Sequence, residues 1–309
     1  MNTGQPVADG LDYAPCQYPG SRLYFRGPAA DLTRPFVAFL GGTETYGKFI
    51  ETPFPALVAR ATGLQCANFG IVNASVDAPG SDPGLMAIAR RAGVRVLQVT
   101  GAHMLSNRFY TVHPRRNDRF LRASTVLSAL FPEVDFSEIC FTGHLLARLW
   151  EVSPDRFQIL REELQAAWSA RMRSTLEQLG PATLLLWFAP QMPSDIPWEE
   201  RPDPLHIEPA FVTRRMLDSL RPLVRMVLMA TPSPRAMATG TAGMVYTSRQ
   251  QAAARALLPP AAHEEAAATI ARALREPAGG ELALPAVLTM GQSLPVSSGT
   301  AVKRSATRP

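Results

Sequence analysis

A hydroxyl, two imidazoles and an amide stand where apolar runs of this chain end. Thr43 follows Gly41-Gly42, His103 and Asn107 follow Gly101, and His263 stands near the last periodic segment. Acyl transfer needs a nucleophile, a base within hydrogen-bond reach, and donors for the developing oxyanion. Thr43 is the candidate nucleophile and His263 the candidate base. The N–H groups of Gly70 and Thr43, with His103 or Asn107, are the candidate donors. Threonine carries a β-methyl that crowds attack and stiffens χ1. The same residues have plainer readings. Thr43 can cap a turn, His103 can be a satisfied, partly buried histidine, and His263 can be an ordinary residue of a helix N-terminus. The acid that would orient the imidazole is not placed by the sequence. Asp195, Asp203 or a glutamate could take that role.

A second set of candidates is basic. From Arg90 to Arg122 there are eight arginines and a single acid, Asp118. Arg108, Arg115, Arg116 and Arg119 interleave with Phe109, Tyr110 and Phe120, a mixture suited to phosphate, sulfate or a sugar acid. These arginines could instead pair with Glu133, Asp135 and Glu138 and simply order a long insertion. No nucleic-acid module surrounds the patch, and nucleic acid is not an expected partner. No Walker loop or dinucleotide fingerprint follows a strand, and no His, Cys, Asp and Glu cluster has metal-ligand spacing, so neither cofactor nor metal is expected. His144 and His206 read as structural or surface residues, and His113, in His-Pro-Arg-Arg-Asn-Asp-Arg, is not a ligand motif.

The elements that must hold these groups can be read from hydrophobic period and punctuation. Phe36–Leu40, Cys66–Val72, Val94–Thr100, Thr183–Ala189 and Leu223–Ala230 read as short buried strands. Phe54–Thr62 reads as a helix stopped by Gly63. Asp82-Pro83 opens another that runs to about Ala92. Phe157, Leu160, Leu164, Trp168, Met172, Leu176 and Leu179 form a stripe at spacings of three and four, the core face of a long helix. Ser137–Trp150, Ala210–Leu220 and about Ala262 to Leu274 read as further helices. Strands alternating with helices imply parallel pairing with right-handed crossovers, and near-continuous apolar strands imply a sheet covered on both faces. The expected fold is a three-layer α/β/α sandwich with a five-stranded parallel sheet, its site at the carboxyl ends of the strands.

The order and spacing of these blocks resemble the SGNH (GDSL-type) hydrolase family, whose scaffold is flavodoxin-like. Against that family's Gly-Asp-Ser-x-Thr-x-Gly block, Gly41 takes the glycine, Gly42 the aspartate and Thr43 the serine, while Thr45 and Gly47 match outright. Gly70 matches the glycine of the second block. In the Gly-x-Asn-Asp block Gly101 matches, with His103 and Met104 in the last two places. In the final Asp-x-x-His block His263 matches and Pro260 stands at the aspartate. The likeness spans roughly Phe36 to Leu274. It implies a metal-independent esterase or acyl hydrolase with Thr43 attacking, His263 as base, and Gly70 with Asn107 or His103 holding the oxyanion. The runs Gly-Thr-Glu-Thr-Tyr-Gly-Lys-Phe and Ser-Asn-Arg-Phe-Tyr-x-x-His-Pro-Arg-Arg-Asn-Asp-Arg-Phe also resemble a bacterial domain-of-unknown-function family, a closer likeness that implies no biochemistry.

Composition bounds these readings. The chain has 309 residues, 46% of them hydrophobic and 18% charged, enough apolar material for one large α/β domain. The net charge is +5, and with lysine only at Lys48 and Lys303, arginine supplies 29 of the 31 basic residues. The apolar runs are far shorter than the roughly 20 residues of a membrane crossing, and the first residues lack the basic and apolar regions of a secretory signal. Cys16, Cys66 and Cys140 suggest neither a disulfide framework nor a zinc clip, which points to the cytoplasm. Residues 1–34 read as an irregular leader and residues 35–275 as the domain, with insertions at about 101–152 and 190–210. Residues 276–309 read as a mobile tail. Two functions of different class follow: the hydrolase above, or a non-catalytic module that binds an anionic glycan or metabolite through Arg108, Arg115, Arg116 and Arg119. A transferase handling an anionic group is a third.

Overall fold

Five strands of the computed structural model lie side by side, all parallel. They are β1 (Phe36–Gly41), β2 (Gln65–Gly70), β3 (Val94–Gln98), β6 (Thr183–Trp187) and β7 (Met226–Met229), in spatial order β2-β1-β3-β6-β7. The structure describes residues 10–197, 200, 205 and 207–276. His206 and the tail expected beyond Glu276 lie outside the described residues. A small antiparallel ladder, β4 (Tyr110–Val112) with β5 (Phe120–Ala123), is inserted between β3 and β6.

The helices, in chain order, are α1 (Thr43–Tyr46), α2 (Phe54–Thr62), α3 (Asp77–Gly80), α4 (Pro83–Arg91), α5 (Thr125–Leu130), α6 (Thr142–Val152), α7 (Pro154–Leu179), α8 (Arg214–Asp218), α9 (Pro234–Met237), α10 (Gln251–Arg255) and α11 (Pro260–Arg275). Their starts follow local chemistry. The Asp82 carboxylate accepts the Leu85 N–H ahead of α4, and Ser153 does the same for Arg156 ahead of α7. Gly63 ends α2 in the left-handed conformation at φ 71°, its N–H on the Ala59 carbonyl.

Strand side chains alternate, and the two faces of β1 enter different cores. Phe36, Ala38 and Leu40 join Leu97, Leu185 and Trp187 against α4 and α7. Val37 and Phe39 join Val96, Leu184 and Leu186 against α2 and α11. The α/β/α sandwich is therefore formed as its apolar strands require. The stripe from Phe157 to Leu179 is buried throughout. Tyr18, Leu23 and Phe25 pack into the α4/α7 core, so the described part of the leader covers apolar surface despite having only a bridge between Cys16 and Phe25 for regular structure.

Three elements differ from the sequence reading. The expected helix Ser137–Trp150 is a 3₁₀ turn, Phe136–Glu138, followed by α6. Between them Phe141 bridges Arg119 and the Cys140 carbonyl accepts the Phe120 N–H, which holds that backbone extended. The helix expected over Ala210–Leu220 shrinks to α8, because Phe211 sits at φ 62° and the helix starts only where the Thr213 hydroxyl caps Met216. The β4–β5 ladder was not foreseen: its connection, residues 113–119, is longer than a tight turn and lacks a hairpin dipeptide.

Candidate functional site

β1 pairs β2 on one side and β3 on the other, so the chain leaves the sheet in opposite directions at their carboxyl ends. Folds of this strand order place a ligand crevice at that switch point. A cleft of about 400 Å³ lies there, lined among others by Thr43, Glu44, Asn73, Thr100, Gly101, Gln191, Glu208 and Arg255.

The first wall depends on close packing around two glycines. A Cβ on Gly41 would stand 2.2 Å from Thr45 Oγ1 and 2.6 Å from Gln98 Oε1. That space lets Gln98 Oε1 accept the Gly42 N–H, the Thr45 N–H and the Thr45 hydroxyl, pinning the turn α1 onto β3. A Cβ on Gly70 would stand 2.2 Å from the Tyr46 nitrogen. Gly70 is thus where β2 passes under α1, and its N–H is given to Asn68 Oδ1 at 2.9 Å.

Thr43 is half-buried at the start of α1, and its hydroxyl faces Asn73. It takes the Asn73 N–H at 2.9 Å and donates to Asn73 Oδ1 at 3.3 Å. It does not cap α1, whose N-cap is Gly42. Asn73 sits at φ 57° and gives its side-chain amide to Asp118 Oδ2 at 2.8 Å. The Asn117 N–H donates to the Asn73 carbonyl, and Asn117 Oδ1 takes the Ser75 N–H and hydroxyl. The arginine-bearing loop is fastened to the cleft wall by these bonds. Burial, with the Arg116 charge next, holds the Lys48 ammonium below the usual lysine value, and Asp118 acts in the opposite sense.

His263 is fully buried on α11. Its ring stacks on Phe54 and meets Phe188 edge-on, with centroids 5.7 and 5.2 Å away. Nδ1 accepts the Phe54 N–H at 3.3 Å, and Nε2 lies 3.5 Å from Glu44 Oε2. The other Glu44 oxygen accepts the Leu258 N–H. A like arrangement stands across the cleft lining. His103 Nε2 lies 3.5 Å from Glu208 Oε1, while Glu208 Oε2 accepts the Ala210 N–H. Thr100 is buried in the same lining, its hydroxyl oxygen without a partner among the described residues. Its carbonyl takes the indole N–H of Trp168 at 2.8 Å, which ties the wall to α7.

The candidate residues are therefore distributed as follows. Thr43 lines the cleft. His263 and His103 stand behind Glu44 and Glu208, and the hydrogen bonds of Thr43 and of His263 go to different partners. Asn107 is spent locally: its amide donates to the Leu105 carbonyl and its oxygen accepts the Phe109 and Tyr110 N–H groups. Arg108 pairs with Glu163 at 2.9 Å, and Arg119 lies over the Phe141 ring. Arg115 and Arg116 are exposed on the fastened loop, with no carboxylate partner among the described residues. Glu133 is taken by Arg156, outside the cluster, and Asp135 caps Ser137. Among the described residues no group of three His, Cys, Asp or Glu could hold a metal ion, and no helix is long and apolar enough to cross a membrane.

Sequence reasoning missed Glu44, Asn73, Thr100, Asp118 and Glu208. Glu44 had a signal, an acid next to the candidate hydroxyl. Asn73 stands three residues after Gly70, in the stretch that follows the second strand. Glu208 lies in a proline-rich insertion and had none.

A family model described as domain of unknown function (DUF6473) matches residues 1–278. No curated protein matches the chain. Among solved structures, a lipase, Lip_vut3 from a goat rumen metagenome, is similar at 12% identity and a TM-score of 0.42, covering 78% of this chain and 97% of the lipase.

Proposed function

The chain belongs to this family of unknown function, and we propose that its switch-point cleft binds a small anionic molecule, a glycan acid or comparable metabolite, on an SGNH-like scaffold. The observation that carries this reading is that the loop bearing Arg115 and Arg116 is bonded to Asn73 in the cleft wall, with Arg255 in the cleft lining itself. Burial first, and then the Arg116 charge, disfavour the Lys48 ammonium, while Asp118 favours it. Crowded cations around one carboxylate draw an anion. Each charge-assisted hydrogen bond they offer contributes about 1.5–3 kcal/mol.

One observation favours a second reading, ester hydrolysis: the Thr43 hydroxyl lies in the cleft. Its proton, however, points at an amide oxygen, which cannot hold it, and both His263 nitrogens face other groups. A missing general base typically forfeits about a hundredfold to ten-thousandfold in rate. Binding is therefore the reading the geometry supports better.

Thermal unfolding with D-glucuronate, phosphate and sulfate tests it. A ligand present at about a hundred times its Kd adds about 2.7 kcal/mol, a rise of several degrees. We expect that rise with at least one anion, and its loss in Arg115→Ala/Arg116→Ala. No rise, or an undiminished one in the double variant, defeats the binding reading. Turnover of p-nitrophenyl acetate that vanishes in Thr43→Ala would install the hydrolase reading in its place.

A further inference from the structure

We infer that the chain has a second anion site, apart from the switch-point cleft, which takes a small carboxylic acid with an apolar body. A cavity of about 410 Å³ lies between α2, the edge strand β2 and the residues that follow Phe25, lined among others by Arg26, Glu51, Arg60 and Gln65. It shares no lining residue with the cleft. Arg26 points to an anion. It is 8% exposed, and no carboxylate among the described residues pairs with it. Its hydrogen bonds go to main-chain oxygens. Nη1 donates to the Gly47 carbonyl at 2.6 Å and the Tyr46 carbonyl at 3.4 Å, and Nη2 donates to the Glu51 carbonyl at 2.8 Å. The guanidinium carbon also lies 5.3 Å from the centroid of the Tyr13 ring. Carbonyl dipoles and a ring face satisfy part of a cation without neutralising it, and a buried ion left without a counter-charge is strongly destabilising. Burial accordingly holds the Arg26 pKa below the usual arginine value, with Tyr13, Tyr46 and Glu51 acting in the opposite sense.

A guanidinium carries five N–H donors in a fixed fork. These bonds leave Nε–H and one N–H of Nη2 without an acceptor among the described residues. Nε and Nη2 share the edge on which a guanidinium takes a carboxylate through both oxygens. Two further donors stand in the same lining. Arg60, exposed in the last turn of α2, has no carboxylate partner among the described residues, and Gln65 presents a side-chain amide at the start of β2. Glu51 is the opposing charge. It lends Arg26 its carbonyl, while its own carboxylate, on an exposed residue, disfavours a dianion in the cavity more than a monoanion. Pro28, Pro53, Pro55, Ala56, Ala59 and Leu64 supply most of the remaining wall. They offer hydrocarbon contact, and the three prolines have no N–H to donate. Burial pushes the Cys66 thiol up to about 12, so it meets the ligand as a neutral group. One charged end and an apolar remainder are what such a lining matches.

Calorimetric titration of the full chain with benzoate, benzamide and inorganic phosphate tests the inference. Benzoate should bind about tenfold tighter than benzamide, which has its shape without its charge, a difference of about 1.4 kcal/mol. Arg60→Ala should weaken benzoate several-fold, and Glu51→Gln should tighten it. Arg26→Lys keeps the charge but loses the fork, and should remove most of the preference for benzoate over benzamide. Arg60 and Glu51 are exposed, so their variants decide the matter if Arg26→Lys does not fold. Arg115→Ala/Arg116→Ala should leave benzoate affinity unchanged, because those arginines belong to the other cleft. Absence of benzoate binding overturns the inference, as do equal binding of benzamide, tighter binding of phosphate, and an affinity indifferent to both Arg60→Ala and Glu51→Gln. Benzoate binding that disappears in Arg115→Ala/Arg116→Ala overturns it too, and places the acid in the switch-point cleft.

Discussion

Gly70 shows how one residue type can matter to a site without taking part in it. Its N–H is already given to Asn68, and its missing side chain is what admits the backbone of α1. Gly70→Ala would drive a methyl to 2.2 Å from the Tyr46 nitrogen, against main chain that cannot rotate away. Overpacking of that kind costs about 1–3 kcal/mol. Urea unfolding should show the loss, with ligand affinity falling because Thr43 and Glu44 ride on the displaced turn; unchanged stability would mean that the contact yields freely. At this scale the sequence was legible where a type has few uses. Gly41, Gly70 and Thr43 stand out in a run of apolar residues. Glu44 does not, because an acid in a turn is ordinary until its carboxylate is found between a backbone N–H and a buried imidazole. His263 was legible as a histidine near the last helix, but the side its ring faces depends on Phe54 and Phe188, far away in sequence.

Among the elements, α4 has the most explicit beginning. Burial acts to raise the Asp82 pKa, but hydrogen bonds from Leu85, Arg22, Ser21 and Gly84 outweigh it and leave the carboxyl below the ordinary aspartate value. A depressed carboxyl adds stability that is present above the unfolded value, about 3.9, and is lost as pH falls through the folded one. Asp82→Ala should therefore cost about 1–2 kcal/mol near pH 7, the range of a lost N-cap. The gap from the parent should close below about pH 4. A gap that persists unchanged in acid would show that the ionised form is not what matters. Asp82-Pro83 was readable because the capping residue and its helix are neighbours. The extended backbone at Cys140 and Phe141 was not, because its partners Arg119 and Phe120 lie about twenty residues back, and no local period reports a bridge.

For the molecule as a whole, the sheet ranks the strands by their neighbours. β1, β3 and β6 are paired on both sides and covered on both faces, whereas the β4–β5 ladder has two strands and a register shift. Amide hydrogen exchange should be slowest in β1, β3 and β6 and markedly faster in Tyr110–Val112 and Phe120–Ala123. Equal protection would mean that the ladder opens only with global unfolding. The five parallel strands and their covering helices were legible from alternation alone. The composition of the cleft was not, because its acids come from segments with no regular pattern.

The cleft draws its walls from stretches scattered between Gly42 and Leu258. No short peptide cut from the chain can therefore carry the recognition surface, and a half-finished chain emerging from the ribosome lacks the walls from Phe188 to Leu258. A ligand held there gains its contacts only once α10 and the residues after it, as far as Leu258, have docked, so occupancy would report completion of folding and would brace distant segments together.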